Sequence, residues 1–280
     1  MAALRRRRSR PDASSREHES LEERLDRELI DVPAAVVCAL CDDPDCTGCE
    51  HEQSRSGVVA IIAWERPLAP VMTRLWSTAR MTTRDAESFF EALPDGPVMP
   101  ALRFAAICEL LAASSMLALL IPVAAVVAPG WLTHVVMDPA ARSLALRVIV
   151  AGLPGFAALL VLAHAAHGLS IDRGATKQGA QSRKARALRF GLYACGWDLV
   201  GGPLGAILVA IKEGVRFAAD ALHAGTSVPG IASRAFIRGC YRLEGRAATL
   251  ALRSAWVGAA VATIFAALLI FAALIALVLV

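Results

Sequence analysis

The C-terminal segment Ala255–Val280 runs for 26 residues without a charged side chain. A helix rises about 1.5 Å per residue, so roughly 20 apolar residues cross a hydrocarbon core of ~30 Å. This run exceeds that length, and several other long apolar stretches precede it from Ala101 onward. The sequence therefore predicts an integral membrane protein.

Charge divides the chain into two parts. Residues 1–100 carry 13 Arg against 18 Asp and Glu, whereas residues 101–280 carry 16 basic against 7 acidic residues. Hydrophobic residues make up 56% of the chain and charged residues only 19%, a balance that is typical of a polytopic protein with a small aqueous domain. We predict an all-α fold, with a helical membrane domain over 101–280 behind a small cytosolic head.

The first 19 residues are expected to form a disordered basic and polar tail. The run Arg5–Arg8 is followed by the polar stretch Ser9–Asp26, which offers no apolar core for an export signal. Acidic residues follow the arginines at once and no aromatic residues are interleaved, so nucleic-acid binding is not expected. We expect the N-terminus to stay in the cytosol.

The predicted head, residues 20–65, contains two C-x-x-C pairs separated by four residues. Such turns let thiolates converge on one ion, and Pro44 and Gly48 supply bends that could fold one pair onto the other. A structural zinc ion is the first interpretation, with His51 as a reserve ligand. Free thiols or redox disulfides, and an iron–sulfur cluster, stay open as alternatives. The predicted metal ligands are Cys38, Cys41, Cys46 and Cys49.

Residues 58–100 link this head to the membrane domain. Val58–Trp64 is an apolar run that predicts a buried strand or an interface-touching segment, and Pro67–Trp76 and Thr83–Leu93 predict interfacial amphipathic helices over 66–100. Their aromatic residues either anchor the helices at headgroup level or form the core of a small cytosolic domain. These residues are Trp64, Trp76, Phe89 and Phe90.

Spans are predicted at about 104–128, 144–167, 188–224 and 254–280, with Pro129–Ser143 as a short loop. The third stretch contains Gly201-Gly202-Pro203, a strong helix breaker, so it is either one kinked crossing or a broken hairpin, which we favour. In the hairpin's second arm an apolar stripe lies opposite a wet face. The stripe is Ile207, Ile211, Val215, Ala218 and Leu222, and the wet face is Lys212, Arg216 and Asp220.

Basic residues predict the orientation of the chain. Gly168–Arg189 holds six Lys or Arg against one acid, which places this loop, and with it the head, in the cytosol of a bacterial inner membrane. In the next polar loop, arginines recur every fourth residue opposite an apolar face. We predict a surface helix that binds anionic lipid headgroups, with a protein-docking helix as the alternative. The arginines are Arg234, Arg238, Arg242 and Arg246.

Ionisable residues inside predicted spans are costly and often functional. Glu109 and Asp198 are the strongest candidates. His164 and His167 lie one turn apart near the cytosolic end of their span, where an imidazole can reach water, so a structural or interfacial role is expected, with a ligand or proton-relay role as the alternative. No nucleophile with a base, phosphate loop or metalloprotease motif is present, so an enzyme is not predicted.

The order of segments from about residue 80 resembles the bacterial branch of the Yip family, the Ypt/Rab-interacting-protein membrane domains. The resemblance is carried by Glu87-Ser-Phe-Phe90, His167-Gly168, Tyr193-Ala-Cys and Gly201-Gly202-Pro203-Leu204-Gly205. It implies about five membrane helices and no known catalytic residues. We therefore expect a membrane-organising scaffold or adaptor, and keep a small-solute or ion transporter built on Glu109 and Asp198 as the alternative.

Overall fold

The computed structural model describes residues 62–66, 69–216, 218–219 and 226–279, all within a compact unit that spans Ser54–Val280. In these ranges the regular elements are helices and no strand occurs, which confirms the all-α prediction for this part of the chain. The helices are α1 Val71–Arg84, α2 Ala86–Glu91, α3 Val98–Val127, α4 Pro129–Met137, α5 Pro139–Arg147, α6 Leu153–Lys177, α7 Lys184–Ala194, α8 Gly196–Gly201, α9 Pro203–Glu213, α10 Val228–Tyr241 and α11 Gly245–Leu279.

Three helical stretches are long and apolar enough to cross a membrane. They are α3, the continuous helix Pro139–Lys177 that joins α5 to α6 through a π-helical turn, and α11 over Gly245–Ala273. Their lengths of 30, 39 and 29 residues exceed the roughly 20 that a bilayer requires. The prediction of a helical body with membrane-spanning character is confirmed to this extent, and the architecture is compatible with a multi-pass protein.

The segment predicted as a loop, Pro129–Ser143, is helical instead. Pro129 and Pro139 each stand at the first position of a helix, where the missing N–H is not needed and the fixed φ favours helical geometry. The carboxylate of Asp138 caps the second helix by accepting a hydrogen bond from the Ala140 N–H at 2.9 Å. The prolines therefore mark joints between helices, and the loop prediction is wrong.

The three long helices pack tightly at one end only. Buried residues lie in the first half of α3, along α6 from Ala157 to Ala175, and at the start of α11. Small residues allow this approach, since a Cβ on Gly174 of α6 would lie 2.8 Å from the Ser254 Cβ of α11. Toward the other end apolar side chains face outward, as Val126 does with 82% of its surface exposed. Such a surface suits contact with hydrocarbon.

The predicted break at Gly202-Pro203 is observed. Gly202 is extended, Pro203 starts α9, and the segments Lys184–Gly201 and Pro203–Glu213 meet at a bend of 62°. Both sides of the bend contact the end of α1. Trp197 Nε1 donates to the Thr82 carbonyl at 2.8 Å, and the Glu213 carboxylate lies 2.7 Å from Arg84 Nη2. Because both arms of the bend contact α1, the chain turns back on itself here, which favours the predicted hairpin. Its course through a bilayer stays a prediction.

The second arm of that hairpin is interrupted. The stripe from Ile207 to Leu222 assumes one helix, but α9 ends at Glu213 and is followed by Gly214, whose φ of +97° is readily adopted only by glycine. Val215 and Arg216 therefore follow a backbone break, and Asp220 and Leu222 lie outside the described residues.

A layer of shorter helices, α1, α2 and α10, packs on α7 and α8. Phe89 and Phe90 of α2 are buried, and the Phe90 ring centroid lies 4.7 Å from that of Phe190 on α7. The Phe236 ring of α10 stacks on Phe190, with 4.6 Å between their centroids. Both phenylalanines are buried, which contradicts anchoring at headgroup level, but the core they join is shared with long-helix residues such as Phe104 and Ile171 and is not that of a separate small domain; Trp64 and Trp76 are only partly buried.

The described part of Val58–Trp64 is not a strand. Ala63–Glu65 forms a 3-10 turn that is fixed by a hydrogen bond from the Trp64 N–H to Thr78 Oγ1 at 2.9 Å. The next residue, Glu65, accepts hydrogen bonds from Arg189 Nη2 at 2.6 Å and from the Tyr193 hydroxyl. The turn is therefore held by side chains of α1 and α7.

Candidate functional site

Three ionisable side chains that are distant in sequence meet inside the packed end of the bundle. Glu109 comes from α3, His164 from α6 and Asp198 from α8. His164 Nε2 lies 2.9 Å from Asp198 Oδ2 and 3.6 Å from Glu109 Oε1. One imidazole nitrogen thus stands between two carboxylates, and we call these three residues the acidic cluster.

Close helix crossings position the acidic cluster. A Cβ on Gly191 of α7 would lie 2.9 Å from the carbonyl carbon of His164, so glycine lets α7 lie directly on α6 at this level. The Trp197 ring packs edge-on against the His164 ring, with 6.0 Å between centroids. Because Trp197 also donates a hydrogen bond to α1, it holds α8 and therefore Asp198 in place.

Glu109 is the most unusual member of the cluster. Its side chain has 0% exposure, and neither carboxylate oxygen has a hydrogen-bond partner among the described residues. A carboxylate buried without partners costs several kcal/mol unless it is neutralised by a proton or a bound cation. A proton or a bound cation is therefore expected to neutralise the Glu109 carboxylate.

Exposure rises stepwise through the acidic cluster. The side-chain exposure is 0% for Glu109, 18% for His164 and 43% for Asp198. The three groups thus connect a sealed position in the bundle to one that the surroundings can reach.

A thiol stands beside the acidic cluster. Cys195, at the joint between α7 and α8, is buried and unoxidised. Single ligand atoms of Glu109, His164 and Cys195 all lie within 4.8 Å of one another. Oxygen, nitrogen and sulfur donors of this kind can together hold a metal ion.

His167, one turn after His164, does not belong to the cluster. Its Nε2 lies 3.1 Å from Ser233 Oγ and its Nδ1 lies 3.4 Å from the Ala255 carbonyl oxygen, so it ties α6 to α10 and α11. The expectation that this imidazole reaches water is wrong, since only 5% of the residue is exposed.

The four predicted zinc ligands cannot be placed. Cys38, Cys41, Cys46 and Cys49 lie outside the described residues, as does the reserve ligand His51. Their assignment to a structural zinc site stays a prediction.

The predicted arginine helix is divided in two. α10 ends at Tyr241, Arg242 takes the left-handed conformation with φ of 55°, and α11 begins at Gly245. Arg234 and Arg238 therefore lie on α10, whereas Arg246 lies on α11. The four-residue repeat predicted a longer helix than the backbone forms, because the left-handed cap and the glycine stop the first one.

Arg238 is engaged by protein rather than left for lipid. Its guanidinium Nη2 lies 2.6 Å from Glu91 Oε2 and 2.9 Å from Glu87 Oε1, both on α2. These hydrogen bonds, first to Glu91 and then to Glu87, hold the pKa of Arg238 above its ordinary value. Arg234, Arg242 and Arg246 are exposed, and their binding of anionic headgroups stays a prediction.

A second polar group was not anticipated from the sequence. Asp172, the single acid of the basic loop, accepts hydrogen bonds from the Tyr241 hydroxyl at 2.8 Å and the Arg183 N–H at 2.6 Å. Burial above all, and this contact in part, raises the pKa of Tyr241 above its ordinary range. The available signal was the isolation of one acid among six basic residues.

Comparison of the chain with protein-family models, with curated proteins and with solved structures gives no match. The resemblance to the Yip family therefore stays a prediction.

Proposed function

We propose that this chain is a membrane protein that binds a small cation at the acidic cluster and transports it. The observation that carries the proposal is the buried carboxylate of Glu109, which lies in a candidate span and has no hydrogen-bond partner among the described residues. Ionisable groups at such positions are expensive, and they commonly mark ion pathways and proton relays.

The arrangement of the cluster supports this role. His164 Nε2 lies within 3.6 Å of both carboxylates, so a proton can pass between Glu109 and Asp198 by way of the imidazole, and a metal cation can be held by this nitrogen together with carboxylate oxygens. The stepwise exposure of the three side chains gives the ion an entrance at Asp198 and a sealed end at Glu109.

The broken helix beside the cluster also supports transport. α8 ends three residues after Asp198, and the Gly202 N–H donates a hydrogen bond to the Asp198 carbonyl at 2.9 Å. Discontinuous helices near the middle of a bundle are typical of transporter ion sites, because their ends offer backbone groups to the ion. They are tolerated only where protein or water covers the freed groups.

The packed ends of the spans are assigned to the cytosol. The N-terminal end of α3, the C-terminal end of α6 and the N-terminal end of α11 lie together, and the basic stretch Gly168–Arg189 covers the end of α6, the turn after it and the start of α7. By the positive-inside rule this end faces the cytosol of a bacterial inner membrane. The ion then enters the cluster from the cytosolic half of the protein.

Transport is tested with the full-length protein in sealed vesicles, by measuring fluxes of H⁺, Na⁺, K⁺ and Zn²⁺ under imposed gradients. We expect one of these fluxes to exceed that of empty vesicles and to fall to background in Glu109→Gln and Asp198→Asn. Glu87→Gln removes an exposed acid of α2 and serves as the matched control, which should retain the flux. Equal flux in all variants, or none in the wild type, would overturn the proposal.

A membrane scaffold is the second candidate function. It is favoured by a groove of about 530 Å³ between α1 and α9, where exposed Met72 lies near the basic residues Arg80 and Lys212. A groove of mixed apolar and basic lining outside the main spans suits a protein partner. A photo-crosslinker at Met72 should then capture a protein in native membranes, while one at the lipid-facing Val126 should not. Identical adducts at both positions would count against the scaffold.

A further inference from the structure

The donor atoms around His164 are of three chemical kinds. Glu109 and Asp198 offer carboxylate oxygens, His164 offers a nitrogen, and Cys195 offers a sulfur. A site for protons alone has no need of the thiol. Alkali and alkaline-earth cations prefer shells made wholly of oxygen, and calcium takes about 6–8 such ligands. The combination is typical of a divalent transition metal such as zinc.

The pair His164–Glu109 already has the spacing found in a four-coordinate site, and Asp198 joins the group of Glu109, His164 and Cys195 through its contact with His164. Zinc lies about 2.0–2.3 Å from nitrogen, oxygen and sulfur ligands, so the ligands of a tetrahedral site are roughly 3.3–3.7 Å apart. The separation of His164 Nε2 from Glu109 Oε1 is 3.6 Å, within that range. His164 Nε2 and Asp198 Oδ2, which are 2.9 Å apart, would have to move slightly apart. The Cys195 sulfur, which lies within 4.8 Å of the Glu109 and His164 donor atoms, would have to move slightly closer to them. Side-chain rotation alone can supply shifts of this size.

An observation independent of the donor set points to a missing ligand. Glu109 is fully buried, and its two oxygens lack hydrogen-bond partners in the described part of the chain, although they face the imidazole and the thiol. A protonated imidazole can place only one hydrogen at Nε2, and Asp198 already takes that position at hydrogen-bonding distance. A divalent ion would serve both carboxylates at once.

We propose that Glu109, His164, Cys195 and Asp198 bind one divalent transition-metal ion, with zinc as the best fit, and that this ion is the transported cargo. Its role as cargo rests on the function proposed above. On binding, the Cys195 thiol releases its proton to water and His164 binds as neutral imidazole through Nε2, so uptake of the ion is opposed by protons. The proposed ligands are different residues from the four cysteines of the head motif.

Cobalt(II) is the probe, because it takes tetrahedral zinc sites and its absorption reports the ligands. The experiment uses the full-length chain in detergent, with Cys38, Cys41, Cys46 and Cys49 replaced by Ser to remove the head motif. We expect one Co²⁺ per chain, tetrahedral d–d bands, and a sulfur-to-cobalt charge-transfer band in the near ultraviolet. Zinc should displace the cobalt and abolish all these bands.

Variants assign the ligands. Cys195→Ser should remove the charge-transfer band, and Glu109→Gln and Asp198→Asn should each weaken cobalt binding by at least roughly 10-fold to 100-fold, the loss seen even for outer-shell partners. Cys240→Ser alters another buried free thiol, on α10, and should leave the spectrum unchanged. Circular dichroism verifies the helical content of each variant. If Cys195→Ser does not fold, Cys195→Ala provides the same spectroscopic comparison.

The outcomes separate this inference from the proposed function. If no cobalt binds while the vesicles carry a proton or alkali-cation flux that depends on Glu109, the metal site is wrong and transport stands. If cobalt binds with sulfur ligation but no cation flux is found, the metal site stands and transport is wrong. Cobalt binding that survives both Cys195→Ser and Glu109→Gln would place the ion elsewhere and overturn the inference.

Discussion

Two clusters in this molecule have the same composition, two carboxylates around one basic side chain, but opposite surroundings. Arg238 of α10 contacts Glu87 and Glu91 of α2 at an accessible position, with its side chain 35% exposed. His164 stands between Glu109 and Asp198 inside the bundle. A guanidinium has five N–H donors and serves both acids at once, whereas His164 presents a single nitrogen. In the Arg238 cluster both acids therefore receive a hydrogen bond from the guanidinium. In the acidic cluster a single imidazole nitrogen cannot donate to both carboxylates.

Burial alone does not explain this difference. Arg189 is also fully buried, yet its Nη2 donates to Glu65 at 2.6 Å, and a Cβ on the nearby Gly96 would lie 2.8 Å from the guanidinium carbon. This ion pair fills its space and joins the 3-10 turn to α7. Charges that are partnered hold helices together, whereas the Glu109 carboxylate has only the His164 imidazole 3.6 Å away and no hydrogen-bond partner among the described residues, which makes it the candidate for binding a ligand.

The largest effect on stability is expected from breaking the buried ion pair. Glu65→Gln leaves Arg189 as an uncompensated buried charge, and removal of one such partner typically costs about 3–5 kcal/mol. Unfolding in mixed detergent micelles should show this loss, whereas Glu87→Gln at the surface should cost much less. Equal losses for the two variants would mean that the Glu65 pair is only a surface contact.

The next largest effect is expected at the helix crossing that frames the acidic cluster. Gly191→Ala forces a methyl group against the backbone of His164, and overpacking of this kind costs roughly 1–3 kcal/mol. Gly130→Ala on α4 meets no atom within 4 Å and is the matched control, with no loss expected. The same unfolding assay tests both. A tolerated Gly191→Ala would show that α6 and α7 can separate without cost.

A smaller effect should distinguish exposed from paired arginines. An exposed basic residue near an anionic bilayer contributes about 1 kcal/mol of attraction, so Arg234→Gln with Arg246→Gln should weaken binding of anionic lipid at low salt. Arg238→Gln should change it less, because that side chain already contacts two glutamates. Retained lipid is counted by mass spectrometry at two salt concentrations. If Arg238→Gln weakened lipid binding more than Arg234→Gln with Arg246→Gln did, the prediction of a lipid-binding arginine stripe that includes Arg238 would be supported.

Arg238→Gln itself should have only a minor effect on the free energy of unfolding. Ion pairs at accessible positions contribute about 0.2–1 kcal/mol and are screened by salt. The loss should therefore shrink when the unfolding assay is repeated at high ionic strength. A larger loss that is independent of salt would show that α10 depends on this contact to stay on α2.

The smallest loss of stability is expected at the acidic cluster. Glu109→Gln exchanges a buried, unpartnered carboxylate for a neutral group of similar volume, and replacing buried charge is often neutral or stabilising. The unfolding assay should show no destabilisation, even though cation flux is lost. A destabilisation as large as that of Glu65→Gln would show that Glu109 is a structural partner and not a ligand.

Local composition was sufficient to predict the long helices, from hydropathy, and the break at Gly202-Pro203, from its glycines and proline. The helices within Pro129–Ser143 were not predicted, because hydropathy marks a polar interval between two spans but does not show that its prolines start new helices. The arginine repeat predicted a helix that is too long. The left-handed backbone of Arg242 interrupts the helix, and a four-residue periodicity carries no signal of that interruption.

The candidate site was predictable only in part. Glu109 and Asp198 stand out as acids in apolar surroundings, which is a property of each residue by itself. Their meeting with His164 and Cys195 depends on which helices cross and at what level, and those crossings are set by Gly168, Gly174 and Gly191. Glycines in apolar stretches are common, so their sequence positions do not reveal which ones contact a neighbouring backbone.

The π-helical turn at Val148–Gly152 affects how the second span should be numbered. A π turn holds one residue more than an α turn, and one residue corresponds to about 100° of rotation around the helix axis. Side chains of α5 and α6 that a regular count would place on one face therefore point in different directions. Labelling or cross-linking sites chosen for Pro139–Lys177 should be counted outward from the turn in both directions. Deletion of one residue inside it would rotate α5 while leaving His164 where it is.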